Sequence, residues 1–341
     1  MVKKLLSLLA AITISLAVWA DEIALNPDHP DRYVVVKGDT LWDISAMFLH
    51  DPWLWPEVWY VNPQIENPHL IYPGDVISLV YVDGKPRLQI RRGPQTIKLS
   101  PTARATRIDE AIPTIPVDAI RQFLTQPLVV GEHELDNAPY VVDSPDEHIV
   151  TGAGDRVYVR GMDSPEYARY SLFEKGDAFT DPQTGEILGY EAQYLGEARL
   201  QRFGDISTMA LTRTTREISK GDRLLPILDE EIHTTFLPHP PASPVDGQII
   251  SVVDGVSQIG QYQVVVINRG EREGMEVGHV LKIMQRGAKI RDTVSPKRDK
   301  ITLPDEEAGV LMVFRTFDKV SFALVMKASR AIHVLDRVTT P

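Results

Sequence analysis

The stretch Tyr33-Val-Val-Val-Lys-Gly-Asp-Thr-Leu-Trp-Asp-Ile-Ser-Ala-Met-Phe48 decides how the N-terminal part of this chain is read. Tyr33 to Val36 has the β-branched character of a strand, and Gly38-Asp39 marks a tight turn. Thr40 can cap a helix, because its hydroxyl accepts from an orphan backbone N–H. Leu41, Ile44, Ser45 and Phe48 then recur at helical spacing on one face. A second helix is expected from Trp53 to Tyr60, with Pro56 tolerated in its first turn and Asn62-Pro63 ending it. Asn67-Pro-His-Leu-Ile-Tyr-Pro-Gly-Asp75 leads into a closing strand, Val76-Ile-Ser-Leu-Val80. The expected order is strand, helix, helix, strand.

These residues resemble the LysM module. The resemblance rests on Tyr33-x-Val35, Gly38-Asp39-Thr40-Leu41-Trp42, Ile44, Asn62 and Ile71-x-Pro73-Gly74-Asp75. It implies binding of N-acetylglucosamine-containing glycans, chiefly peptidoglycan, in a shallow groove between two loops. Carried over, Gly38, Asp39, Thr40 and Leu41 form one side of the groove, and Asn67, Pro68, His69, Leu70 and Ile71 the other. An N-acetyl group offers an amide donor, a carbonyl and a methyl, which backbone edges and a small apolar floor can read without a catalytic acid. Trp53, Trp55 and Trp59 crowd seven residues. They serve either as core, which a module this small needs, or as an exposed platform for sugar rings or a protein.

The rest of the chain sets the context. Lys3 and Lys4 followed by the apolar run Leu5 to Trp19 and Val18-Trp19-Ala20 have the layout of a secretory signal peptide over residues 1–20. A membrane span needs about 20 apolar residues, and Asp21-Glu22 ends this run too soon. No later segment approaches that length. The chain of 341 residues has no cysteine, which excludes disulfides, CxxC zinc sites and cysteine nucleophiles. Export without cysteine fits a bacterial periplasm and the cell wall. A net charge of −11 argues against a nucleic-acid partner.

Residues 21–32 read as a Pro/Asp-rich spacer, 33–81 as the LysM module, and 82–125 as a basic, Pro-containing linker. Between Lys85 and Arg107 the linker carries seven cations and no acid. That is either a solvated tether or an electrostatic clip onto an anionic polymer or partner. From residue 126 onward short strands alternate with turns, and His239-Pro-Pro-Ala-Ser-Pro244 divides them into β-rich lobes at 126–238 and 245–341. The lobes share a degenerate repeat: Arg216-x-Ile218-x-x-x-Asp222-Arg223 matches Arg330-x-Ile332-x-x-x-Asp336-Arg337. The Asp-Arg step reads as a turn before a strand. The expected fold class is α+β, a βααβ LysM module followed by a mostly-β half of two related lobes.

The layout also resembles the type IV pilus secretin-associated LysM family, whose C-terminal region is similar to that of the flagellar outer-ring protein FlgT. That resemblance implies a non-enzymatic scaffold fixing an outer-membrane secretin ring to peptidoglycan, a role that ring-assembled copies would strengthen. The alternatives are a wall-remodelling enzyme and a general wall-binding protein without secretin ties. Catalytic residues, cofactors and metals are not expected. The nine histidines show no HxH or HExxH spacing, and there is no G-x-S-x-G or S-x-x-K.

Overall fold

A computed structural model describes residues 23–59, 70–91, 111–124, 129–131, 133–145, 151–227, 235–253, 258–294 and 299–341. The signal-peptide segment, the helix stop at Asn62-Pro63, the loop residues Asn67, Pro68 and His69, and the cations Arg92, Lys98, Arg104 and Arg107 lie outside the described residues.

The N-terminal module is built from β1 (Arg32–Val34), α1 (Leu41–Phe48), a 3-10 turn at Pro52–Leu54, α2 (Trp55–Val58), β2 (Val76–Val82) and β3 (Lys85–Arg91). Thr40 caps α1, its Oγ1 accepting from the Asp43 amide at 3.1 Å. The second helix is shorter than expected, a 3-10 turn running into a single α turn, because prolines stand at the start of each. β1 pairs antiparallel with β2, and β2 with β3. Strand β3 corrects the reading of 82–125 as a linker. Asp83 and Gly84 both take positive φ, 50° and 76°, the geometry of a two-residue hairpin, and Val82 faces Lys85 across it. The same segment also forms α3 (Val117–Leu124). The spacer before β1 is likewise tied down, with the amide of His50 donating to the Ala24 carbonyl at 2.9 Å.

Two closed barrels follow. Barrel one holds β5 (Tyr140–Asp143), β6 (Arg156–Arg160), β7 (Arg169–Thr180), β8 (Ile187–Arg202), β9 (Ile206–Thr214) and β10 (Arg223–Pro226). Its order is β8-β7-β10-β5-β6-β9, closed by a β8–β9 pairing, with β4 (Val129–Val130) added on β8. A single helical turn, α4 (Glu134–Asn137), precedes β5. Barrel two holds β11 (Asp246–Val252), β12 (Val264–Ile267), β13 (Val280–Gln285), β16 (Glu306–Thr316), β17 (Ser321–Ala328) and β18 (Arg337–Thr339), in the order β11-β12-β17-β16-β13-β18. A separate ribbon, β14 (Lys289–Arg291) with β15 (Lys300–Thr302), projects between β13 and β16. Substituting β5, β6, β9, β8, β7 and β10 in turn into the barrel-two order reproduces the barrel-one ring.

Corresponding side chains make corresponding bonds. Asp222 accepts from the Ser219 amide at 2.7 Å, and Asp336 from the His333 amide at 2.8 Å. Gly196 and Gly309 each sit where a Cβ would lie 2.3 Å and 2.1 Å from the carbonyls of Arg213 and Lys327, so the strands cross too closely for any side chain there.

Barrel two is apolar on both faces of its strands. Val265, Ile267, Leu281, Leu311, Val313 and Val325 fill its interior. Val264, Val266, Val310, Met312, Phe322 and Leu324 point outward into a second core. That core also takes Trp42 and Trp53 of the N-terminal module, Ile115, Val117, Ile120 and Phe123 of the α3 segment, and Phe179 and Leu188 of barrel one. A strand buried on both sides needs continuous apolar sequence, which is what Val264 to Ile267 shows. Among the described residues four short helices stand beside eighteen strands, so "mostly β" describes the chain better than α+β.

Candidate functional site

Two turns next to the expected glycan groove, Val36–Asp39 and Tyr72–Asp75, are held by the same small device. In the first, Asp39 Oδ2 accepts from the Val36 amide at 2.9 Å and from the Tyr33 hydroxyl at 3.0 Å. In the second, Asp75 Oδ2 accepts from the Tyr72 amide at 3.0 Å. Each aspartate thus closes its own turn, the preceding glycine supplying the left-handed conformation, with φ of 101° at Gly38. The loops are stitched together by the Val35 amide donating to the Asp75 carbonyl at 2.9 Å and the Gly74 amide donating to the Val35 carbonyl at 2.8 Å. Burial and the bond to the Asp39 carboxylate push the Tyr33 phenol above its ordinary pKa.

Of the expected groove residues, Gly38 is exposed and Asp39 half-buried, while Thr40 and Leu41 are buried on the other side of the turn. Leu70 is exposed and Ile71 buried. The structure brings Leu41 and Ile71 to a common neighbour, the segment Ile112–Thr114. The Ile112 amide donates to the Ile71 carbonyl at 2.8 Å, and the Leu41 and Trp42 amides donate to the carbonyls of Pro113 and Thr114, each at 3.0 Å. Sequence reading missed this segment entirely, since its partners lie far along the chain and two prolines disguise it as linker.

The tryptophans are core. Trp55 and Trp59 meet edge to face at 5.9 Å inside the module, and Trp42 and Trp53 are buried against barrel two. Asp43 joins the units: its Oδ2 accepts from Thr40 Oγ1 at 2.7 Å and its Oδ1 from the Tyr262 hydroxyl at 2.8 Å. Beside it a cleft of about 340 Å³ is lined by Asn26, Trp42, Asp43, His50, Gln261 and Lys327.

A histidine pair that spacing did not reveal also meets: His239 and His279 lie edge to face with ring centroids 4.8 Å apart, and the Glu276 carboxylate is close to both. The Nδ1 of His279 accepts from the Glu276 amide at 3.1 Å, which puts the proton of the neutral ring on Nε2 and leaves no lone pair for a metal. Burial, then the neighbouring His239, lowers the His279 pKa and favours that neutral ring. The trio therefore fits a structural polar contact better than a zinc site, which takes four ligands. No helix among the described residues is long and apolar enough to cross a membrane.

Comparison with known proteins places these features. Residues 33–80 match the LysM domain family. A stretch of 60 residues is 37% identical to the uncharacterized protein YqbP of Bacillus subtilis (strain 168). The similarity covers 15% of this chain and 27% of that protein. Residues 33–80 are thus a LysM domain, a binding module and not a catalytic one, joined to a mostly-β remainder that the LysM match does not cover.

Proposed function

We propose that this chain is a non-catalytic, peptidoglycan-binding scaffold of the periplasm. On this reading residues 1–20 export the chain. The LysM domain holds glycan strands between the Gly38–Leu41 and Asn67–Ile71 loops, and the barrels offer a platform to an outer-membrane assembly. The observation that carries the reading is the LysM match over residues 33–80, in which both aspartate-closed turns are formed and tied to each other. The type IV pilus secretin ring is the assembly favoured by the sequence resemblance, and several copies around a ring would compensate for the weak grip of a single module.

Cosedimentation of the full chain with purified sacculi tests the wall-binding half. Retention that soluble N-acetylglucosamine oligomers compete away is expected, and a chain left in the supernatant refutes it. Zymography on peptidoglycan tests the absence of catalysis, a clearing band being the contrary result. Crosslinking in pilus-bearing cells tests the secretin, since recovery of the wall without any secretin would leave a general wall-binding protein.

A further inference from the structure

We infer that the segment Ile112–Ile115 is a built-in occupant of the LysM groove, so that glycan enters only when the chain withdraws its own backbone. The inference rests on the reading of residues 33–80 as glycan-binding and adds its regulation.

The bonds that hold the segment occupy backbone donors and a carbonyl of the kind that an acetamido group can pair with. The first turn of a helix leaves amide donors without partners, and here the amides of Leu41 and Trp42 are taken by the carbonyls of Pro113 and Thr114. On the facing loop the Ile71 carbonyl takes the amide of Ile112. An N-acetyl group carries the same kinds of donor and acceptor as the peptide units of the segment, whose one donor and two acceptors here come from three separate units, and the Ile112 side chain is buried in the LysM core. Thr40, Leu41 and Ile71 are shut from solvent in this arrangement.

The occupant is anchored from the barrel side. Thr114 Oγ1 accepts from the Phe236 amide at 3.2 Å, and Ile115 is buried in the shared core with Val117, Ile120 and Phe123 of α3. The Phe123 carbonyl accepts from Arg315 of β16 at 2.7 Å. Seating of α3 on barrel two and glycan in the groove are thereby made mutually exclusive. A partner that engages the outer face of barrel two and lifts α3 would raise wall affinity, and by linkage glycan would favour that partner.

The test compares the full wild-type chain with an Ile112→Gly, Ile115→Gly double variant. Both are titrated with an N-acetylglucosamine oligomer and with sacculi, and amide exchange is followed in each. The variant is expected to bind at least about tenfold more tightly, a gain typical of removing a tethered competitor. In the wild type, saturating oligomer is expected to speed exchange at the Ile112 amide while Leu41 and Trp42 stay protected. Equal affinities, with Ile112 still protected when sugar is bound, would overturn the gate and leave wall binding intact. Binding by neither chain would overturn the wall-binding reading and the gate with it. Should the variant lose its barrel protection and so prove unfolded, the wild-type exchange decides alone.

Discussion

The Tyr262 hydroxyl donates a 2.8 Å hydrogen bond to Oδ1 of Asp43, linking barrel two to the first helix of the LysM domain across 219 positions of sequence. Burial, then this bond to a carboxylate, pushes the Tyr262 phenol up to about 12. A folded-state pKa above the unfolded one means that the stabilisation is whole below about pH 10, the ordinary tyrosine value, and is lost as pH rises toward 12. Tyr262→Phe should therefore lower the unfolding free energy at pH 7 by about 1–2 kcal/mol. It should also lose less stability than wild type between pH 9.5 and 11.5, roughly the window of that titration. Urea unfolding at a series of pH values checks both, and parallel curves would deny the bond a role.

Between the barrels, Glu186 receives Arg272 through two bonds of 2.8 and 3.1 Å and Lys319 at 2.8 Å. The bonds from Arg272 and then Lys319 draw its pKa down to about 2. Here the folded value is depressed, so the contribution is present above the ordinary glutamate pKa of about 4.3 and fades as pH falls toward 2. The pair is partly solvated, so the effect is small and weakens with salt. Glu186→Gln should flatten the acid limb of a melting-temperature profile, and an unchanged limb would assign acid sensitivity to other groups.

The repeat contains one anomaly that makes a stabilising substitution. Before Asp222 stands Gly221 with φ of 95°, and before Asp336 stands Leu335 with φ of 76°, exposed at 43%. A left-handed residue with a Cβ costs about 1–2 kcal/mol, of which glycine's extra unfolded-state freedom returns about half. Leu335→Gly should raise stability by up to about 1 kcal/mol, read as a higher denaturant midpoint at constant slope. A loss of stability would mean that the Leu335 side chain matters more than its backbone.

Because Trp53 and Trp55 are buried, at 6% and 1% exposure, either alanine substitution should act through folding. A cost of about 3–5 kcal/mol is expected for each. Sugar affinity measured on the remaining folded fraction should be unchanged. An affinity loss in a variant that keeps wild-type stability would restore the aromatic platform.

Much of this architecture is local in the sequence and therefore legible. Thr40 before an amphipathic run marks the start of α1, and the Gly-Asp steps at 38–39, 74–75 and 221–222 are turns in which the aspartate bonds back three residues. The Arg-x-Ile-x-x-x-Asp-Arg pattern marks equivalent strand starts because burial and turn geometry recur in each barrel. Asp83-Gly84 was an equally clear hairpin signal, masked by the prolines and charges that follow it. What stayed hidden depends on distant partners. Nothing near Thr114 announces Trp42, nothing near His239 announces His279, and the outward apolar face of barrel two makes sense only once α1 and α3 lie on it.

The most direct measurement is an amide-exchange footprint of the full chain, with and without soluble peptidoglycan fragments. The account requires changes in peptides spanning residues 36–42, 70–75 and 111–124 and on the outer face of barrel two that α3 covers, with the interiors of both barrels unaffected. Binding that alters only the barrels, or leaves the two aspartate-closed turns untouched, would contradict it.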